Sequence, residues 1–166
     1  MDFRLEQRIG APLPHVEAAQ TDPAFIAELA SLPKIGNAEL LGQHREGDVV
    51  EQEVRYVFTG ELSSAVRAVV DPKKITWILE SRFDGAAHHS HWRILPDHYP
   101  DRLSASGTTR LLADGDAVTR RVTQGVVKVH MALVGGRVER AIVTGLKEHA
   151  EAEAAAMERY LTRSDG

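Results

Sequence analysis

Apolar residues alternate with polar ones over most of this 166-residue chain, and only the last part changes to the period of a helix. From Asp2 to Ile9, apolar Phe3 and Leu5 alternate with charged residues, which predicts a half-buried strand. The sequence Thr21-Asp22-Pro23 then offers an N-cap residue followed by proline at a first-turn position. It predicts the start of the second of two short helices.

Alternating runs separated by turn residues predict seven further strands. Short loops such as Glu46-Gly47-Asp48 and Asp114-Gly115-Asp116 join consecutive runs, and hairpins of this kind produce an antiparallel sheet. The predicted strands cover residues 38–45, 49–58, 65–70, 75–82, 86–95, 102–112 and 117–129.

The longest predicted element is a helix from Gly136 to Arg163, ~40 Å long at ~1.5 Å per residue. One of its faces carries mostly apolar side chains, so we expect the helix to lie on an apolar surface. This face comprises Val138, Ile142, Leu146, His149, Glu153, Met157 and Tyr160. The whole pattern predicts an α+β fold in one domain, residues 1–163, followed by a tail, residues 164–166.

Composition narrows the classes of function. The formal net charge is −4, and the 20 basic residues are interspersed with 24 acidic ones, which argues against a nucleic-acid partner. The absence of cysteine removes disulfides and thiolate chemistry and fits a reducing compartment. Because no apolar stretch approaches the ~20 residues that span a bilayer, and the N-terminus does not resemble a signal peptide, we expect a cytoplasmic protein without integral membrane association.

The element order and two passages of sequence resemble a known superfamily. A strand, two short helices, antiparallel strands and a long amphipathic helix are the elements of the START-like, Bet v 1-like (SRPBCC) helix-grip superfamily. The passages Thr21-Asp22-Pro23-Ala24-Phe25 and Leu133-Val134-Gly135-Gly136-Arg137-Val138-Glu139 further resemble DUF2505, a bacterial family of unknown function within it. The resemblance implies a curved antiparallel sheet across which the C-terminal helix packs. It also implies a pocket for lipids, sterols, polyketides or hormones, but no catalytic motif.

A pocket is also expected on physical grounds. A curved sheet packed on one straight helix leaves a central gap, which large side chains can fill or a ligand can occupy. Small inward residues such as Ala65 and Gly107 leave room, although they would equally permit close contact between helix and sheet. The residues expected to contact a ligand are Val54, Tyr56, Phe58, Trp77, Leu79, His88, Trp92, Ala105, Ile142, Leu146, His149 and Glu153.

Two polar residues, His149 and Glu153, interrupt the apolar face of the predicted helix at i,i+4 spacing. They could orient a ligand hydroxyl or carbonyl, or act as a general acid–base pair. Alternatively, they form one satisfied polar pair, or lie beyond the end of the sheet where the face reaches solvent.

A histidine-rich segment, His88 to His91, offers a second candidate for polar chemistry. In a strand, His89 and His91 project to the same face, which the alternation places outward, while His88 projects inward towards the pocket. No third ligand stands at motif spacing, so we expect no metal site and no cofactor.

These observations favour binding or transport of a small hydrophobic molecule, held by a monomer or a weak homodimer. The first alternative is an enzyme of the polyketide cyclase or dehydratase kind, a lyase or isomerase in which His149 and Glu153 move a proton. The second alternative is a structural or partner-binding module with a filled interior.

Overall fold

The computed structural model describes residues 1–164, which form seven strands and four α-helices together with two 3₁₀ helices, Leu29–Ser31 and Pro72–Lys74. Of the predicted tail, residues 164–166, only Ser164 lies within the described residues, as the last residue of α4. The strands are β1 (Asp2–Ile9), β2 (Ile35–Glu46), β3 (Val49–Phe58), β4 (Thr76–Asp84), β5 (His89–Pro96), β6 (Leu103–Ala113) and β7 (Thr119–Val129). The helices are α1 (Leu13–Gln20), α2 (Pro23–Glu28), α3 (Ser64–Arg67) and α4 (Gly135–Ser164).

The seven strands form one antiparallel sheet in the order β1-β7-β6-β5-β4-β3-β2. From β2 to β7 each strand pairs with its neighbour in sequence, as hairpin loops require, and β1 closes the order by pairing with β7. Register shifts between Gly36 and Glu39 and between Leu40 and Gly42 bend β2. The sheet is curved and α4 packs against it, so the predicted α+β helix-grip fold is confirmed.

The prediction of a strand at residues 65–70 is wrong, because its first three residues belong to the short helix α3. The Ser63 hydroxyl caps α3 by accepting a hydrogen bond from the Val66 amide at 3.4 Å. Val66 is buried, whereas Ala65 is exposed on this helix and does not lie on the inner face of the sheet. Short apolar runs do not distinguish a strand from a helical turn by their period.

The strand predicted over residues 86–95 begins only at His89. A turn precedes it, in which the Asp84 carboxylate accepts a hydrogen bond from the Ala86 amide at 3.0 Å. His88 has a φ of 53°, in the left-handed region that few residues other than glycine adopt. His88 therefore lies outside the alternation of the strand.

Helix α4 is 30 residues long, and its C-terminal half is the better anchored part. Met157 is fully buried, which contributes ~1.5–3 kcal/mol to the free energy of unfolding. The Tyr160 hydroxyl donates a hydrogen bond to Asp22 at 2.6 Å, and Asp22 also caps α2, as the sequence predicted. Between Gly136 and Leu146, by contrast, no residue is fully buried.

None of the helices within residues 1–164 is long and apolar enough to cross a membrane.

Candidate ligand-binding site

A cavity of about 210 Å³ lies between the inner face of the sheet and α4. Its walls are mainly apolar, which is typical of sites for small organic molecules. The apolar side chains that line it are Phe3, Leu5, Phe25, Ile26, Leu29, Ile35, Val54, Tyr56, Trp77, Leu79, Trp92, Ile94, Leu146 and Ala150. The polar ones are Gln20, Gln52, Ser81, Ser90, Thr109, Arg121, Thr123, His149 and Glu153.

One end of the cavity is aromatic. Tyr56 on β3 pairs with Trp77 on β4, and their rings stack with centroids 6.0 Å apart and an interplanar angle of 22°. The adjacent row on the sheet is aliphatic and consists of Val54, Leu79 and Ile94. This end of the cavity therefore offers flat apolar contact.

The indole of Trp92 lies over a part of the sheet that has no side chains. Its Cα partner on β6 is Gly107, which in turn is opposite Gly125 on β7. A Cβ atom on Gly107 would lie 2.5 Å from the indole and 2.0 Å from the Gln124 carbonyl oxygen, and one on Gly125 would lie 2.8 Å from the indole. These two glycines are needed for close approach, which brings the Trp92 ring to 6.1 Å from that of Phe3.

Arg121 on β7 is a buried cation that sequence reasoning missed. Only 8 % of its surface is exposed, and each of its guanidinium nitrogens donates to a protein oxygen. The acceptors are Gln7 Oε1 at 3.2 Å, Glu153 Oε1 at 2.7 Å and the Ala150 carbonyl at 2.9 Å. Arg121 thus joins β7, β1 and α4 at the cavity wall, and a buried charge is tolerated there because it is paired and hydrogen-bonded.

The charge of Glu153 is fixed by these neighbours. Burial alone would raise the pKa of this carboxyl, but Arg121, and then His149, outweigh burial and hold the pKa at about 2. Glu153 is therefore ionised near neutral pH and cannot serve as a general acid there. It can accept hydrogen bonds and stabilise a neighbouring positive charge.

His149 lies one helical turn before Glu153, with its Nε2 atom 3.5 Å from Glu153 Oε2. Its ring is nearly perpendicular to that of Tyr56, with centroids 5.7 Å apart, and its Nδ1 atom is buried without a hydrogen-bond partner in residues 1–164. Burial, and secondly the Glu153 carboxylate, raise the pKa of Tyr56 well above its ordinary value, against a smaller opposite effect of Arg121, so the phenol stays protonated. The cavity therefore contains an imidazole between a carboxylate and a protonated phenol.

A surface ion pair lies beside the cavity. Lys34 precedes the lining residue Ile35, Glu148 precedes the lining residue His149, and the Lys34 ammonium contacts the Glu148 carboxylate. The Lys34 carbonyl accepts hydrogen bonds from the amides of Thr59 at 2.6 Å and Gly60 at 3.1 Å. The pair thus connects the end of β3 and the start of β2 to α4.

The structure brings eight of the twelve predicted contact residues together at the cavity: Val54, Tyr56, Trp77, Leu79, Trp92, Leu146, His149 and Glu153. It does not place the other four in the lining. Ala105 is buried on β6, where it is the Cα partner of Ile94. Phe58 packs at the margin of the core, and Ile142 is half-buried in the N-terminal half of α4.

His88 was expected to project into the pocket from a strand, and this placement is corrected by the structure. In its turn the imidazole Nδ1 contacts the Glu17 carboxylate on α1, and 46 % of its side chain is exposed. His89 and His91 both lie on β5, and their ring centroids are 4.7 Å apart. Within residues 1–164 no group of three histidine or acidic side chains is positioned to hold a metal ion.

The polar lining residues that the sequence analysis missed carry a recognisable pattern. Gln52, Ser81 and Ser90 each stand two positions from a residue predicted to point inward, so a strict period of two assigns them to the inner face. Arg121 follows Arg120, and adjacent strand residues face opposite sides, so one of these two arginines had to point inward.

Solved structures with the same fold support the classification as a helix-grip protein. The protein TTHA0849 from Thermus thermophilus superposes with a TM-score of 0.70 at 19 % identity, over 100 % of both chains. The Zhui aromatase/cyclase from Streptomyces sp. R1128 gives 0.68 at 16 % identity, over 100 % of this chain and 96 % of that one. Norcoclaurine synthase from Thalictrum flavum, in complex with dopamine and hydroxybenzaldehyde, gives 0.66 at 15 % identity, over 98 % and 87 %.

A comparison of the sequence with protein families identifies the family of this chain. The family described as protein of unknown function, DUF2505, matches residues 4–161, so the chain belongs to DUF2505, as the two passages predicted. No curated protein matches the chain by sequence.

Proposed function

We propose that this protein binds a small hydrophobic molecule in the cavity between the sheet and α4. The observation that carries the proposal is an apolar cavity of about 210 Å³ into which five aromatic side chains project. A filled interior would leave no such space.

The volume bears on the size of the ligand. An apolar protein cavity of ~150 Å³ holds benzene, and sites for drug-sized molecules have ~300–1,000 Å³. A cavity of about 210 Å³ therefore suits a molecule of one or two rings better than a sterol or a long acyl chain. The complex of norcoclaurine synthase with dopamine and hydroxybenzaldehyde, two single-ring compounds, supports this size range for the fold.

Both tryptophans of the chain, Trp77 and Trp92, line the cavity, so intrinsic fluorescence reports on its occupancy. Titration with naphthalene should give a saturable change in emission. Ala150→Leu places extra atoms in the cavity and should weaken binding at least about tenfold, because a filled site loses the ligand's contact area. Ala155→Leu makes the same change at an exposed position of α4 and should leave binding unchanged. The absence of saturable binding, or equal binding by both variants, would refute the proposal.

A second candidate function is proton-transfer catalysis of the cyclase or dehydratase kind, and the position of His149 favours it. The imidazole lies at the cavity wall, and the ionised Glu153 can orient it and stabilise its protonated form. In a dehydration His149 removes a proton from the carbon beside a carbonyl, and a carbon–carbon double bond forms as the carbon–oxygen bond at the next carbon breaks. His149 then delivers the proton to the departing hydroxyl, which leaves as water. The structural neighbours include an aromatase/cyclase, which is consistent with this chemistry.

The first half of that reaction can be tested without the natural substrate. The two-ring ketone 2-tetralone exchanges its C1 protons for deuterium through the enol, and NMR follows the rate. The protein should accelerate this exchange, His149→Gln should return it to the rate in buffer, and His44→Gln, an exposed control, should not. If His149→Gln exchanges as fast as the parent protein, His149 is not the base.

A further inference from the structure

Three hydroxyl side chains form a row across three neighbouring strands on the inner face of the sheet. Ser90 on β5 is the Cα partner of Thr109 on β6, and Thr109 is the partner of Thr123 on β7. All three line the cavity. We refer to Ser90, Thr109 and Thr123 as the hydroxyl row.

The hydroxyl row has unused hydrogen-bonding capacity. The hydroxyls of Thr109 and Thr123 are 3.0 Å apart, so one donates to the other. That bond uses one of the two protons and one lone pair, which leaves a donor and several acceptor sites for a third group. A ligand atom above this pair could both donate and accept.

Two of the lining residues carry donors without a partner in residues 1–164. Trp92 stands two residues from Ser90 on β5, in the next row, and its indole nitrogen is buried without a partner in residues 1–164. The side-chain nitrogen of Gln20, another lining residue, is likewise buried without a hydrogen-bond partner in residues 1–164. Buried donors without partners are rare in folded proteins, and these two belong to residues of the cavity wall.

The charge at this end of the cavity is already neutralised. Arg121 lies two residues from Thr123 on the same face of β7, but its guanidinium is taken up by Glu153, Gln7 and the Ala150 carbonyl. A neutral group fits this arrangement better than an anion, because no unpaired positive charge remains for it.

We infer that the hydroxyl row is a polar subsite that binds a neutral hydroxyl or carbonyl group of a one- or two-ring ligand. The apolar ring then lies against Trp92 and Ile94, which continue the inner face of β5 from Ser90. The inference rests on the proposed function and adds the chemical class of the ligand and its orientation.

The test compares naphthalene with 2-naphthol, which differ by one hydroxyl, by fluorescence titration of the whole protein. The double variant Thr109→Val/Thr123→Val replaces both members of the pair with side chains of the same shape, so the fold should be retained. It should lose about tenfold of the parent's preference for 2-naphthol over naphthalene, the value of one good hydrogen bond. Thr108→Val, on the opposite face of β6, is the control and should keep the preference.

Each other outcome is decisive. If the double variant keeps the full preference for 2-naphthol, the hydroxyl row does not bind the ligand hydroxyl and the inference is overturned. The same holds if His149→Gln removes the preference and the double variant does not, because the hydroxyl then binds at the imidazole. If the parent protein binds neither compound, the proposed function fails, and the inference fails with it.

Discussion

The guanidinium of Arg121 and the carboxylate of Glu153 form an ion pair at 2.7 Å between β7 and α4, and both side chains belong to the cavity wall. Arg121 is 9 % and Glu153 22 % exposed at the side chain, so the pair is shielded from solvent. It connects the helix to the sheet one helical turn from His149, whose imidazole contacts the Glu153 carboxylate. The same pair therefore contributes to docking of α4 and to the electrostatics of the candidate site.

Removal of either partner should strongly destabilise the protein. Arg121→Met retains the length of the side chain but leaves Glu153 without its cation, and we expect a loss of about 3 kcal/mol in the free energy of unfolding. Urea denaturation followed by tryptophan fluorescence measures it. The double variant Arg121→Met/Glu153→Gln should lose less than the sum of the single variants, and additive losses would contradict the coupling. Arg163→Met breaks an exposed pair with Glu28 and should cost less than ~1 kcal/mol.

Stability should depend on pH through Glu153. Its pKa is about 2 in the folded protein against an ordinary value of 4.5, so its stabilising contribution is complete above about pH 5.5 and is lost as the pH falls towards 2. As the pH falls from about 5.5 towards 2, the difference in unfolding free energy between the parent and Glu153→Gln should shrink by about 3 kcal/mol. A difference that does not change with pH would show that the carboxylate is not stabilised by its partners.

The strands and the long helix could be predicted because one face of each is buried, which imposes a period on the sequence. The segment containing α3 could not, because its few apolar residues fit either period and a capping hydroxyl at Ser63 decided between them. His88 could not be placed because the strand begins one residue after it, and its left-handed backbone is set by the turn.

The candidate site was partly predictable for a related reason. His149 and Glu153 were found because polar residues on an apolar helical face are conspicuous. Arg121 was not, because it is one of two adjacent arginines and its partners come from β1 and α4, which are distant in sequence. The alternation shows that one of the two arginines points inward, but the local sequence does not show the partners that hold it there.

Substitution of Gly107 should damage the fold as well as the cavity. A Cβ atom at this position would lie 2.0 Å from the Gln124 carbonyl oxygen and 2.5 Å from the Trp92 ring, and the first of these is rigid backbone. We expect Gly107→Ala to lower the free energy of unfolding by about 3 kcal/mol or more. Gly42→Ala is the matched control on β2, where an added Cβ meets no atom within 4 Å, and should change stability by less than ~1 kcal/mol. Equal effects of the two substitutions would contradict the close packing of Trp92.

The Lys34–Glu148 ion pair should limit access to the cavity, because each partner is adjacent in sequence to a lining residue and the pair bridges β2 and α4. Lys34→Ala or Glu148→Ala should therefore increase quenching of Trp77 and Trp92 by acrylamide. We expect a rise of about two- to fivefold in the quenching constant, which corresponds to an exposed ion pair worth up to ~1 kcal/mol. In the parent protein, ~1 M salt should have the same effect, because it shortens the screening length to ~3 Å. Arg163→Ala removes an exposed pair between α4 and α2 and serves as the control, with no change in quenching. If Lys34→Ala behaves like Arg163→Ala at low salt, acrylamide reaches the two tryptophans by another route and the pair does not restrict entry.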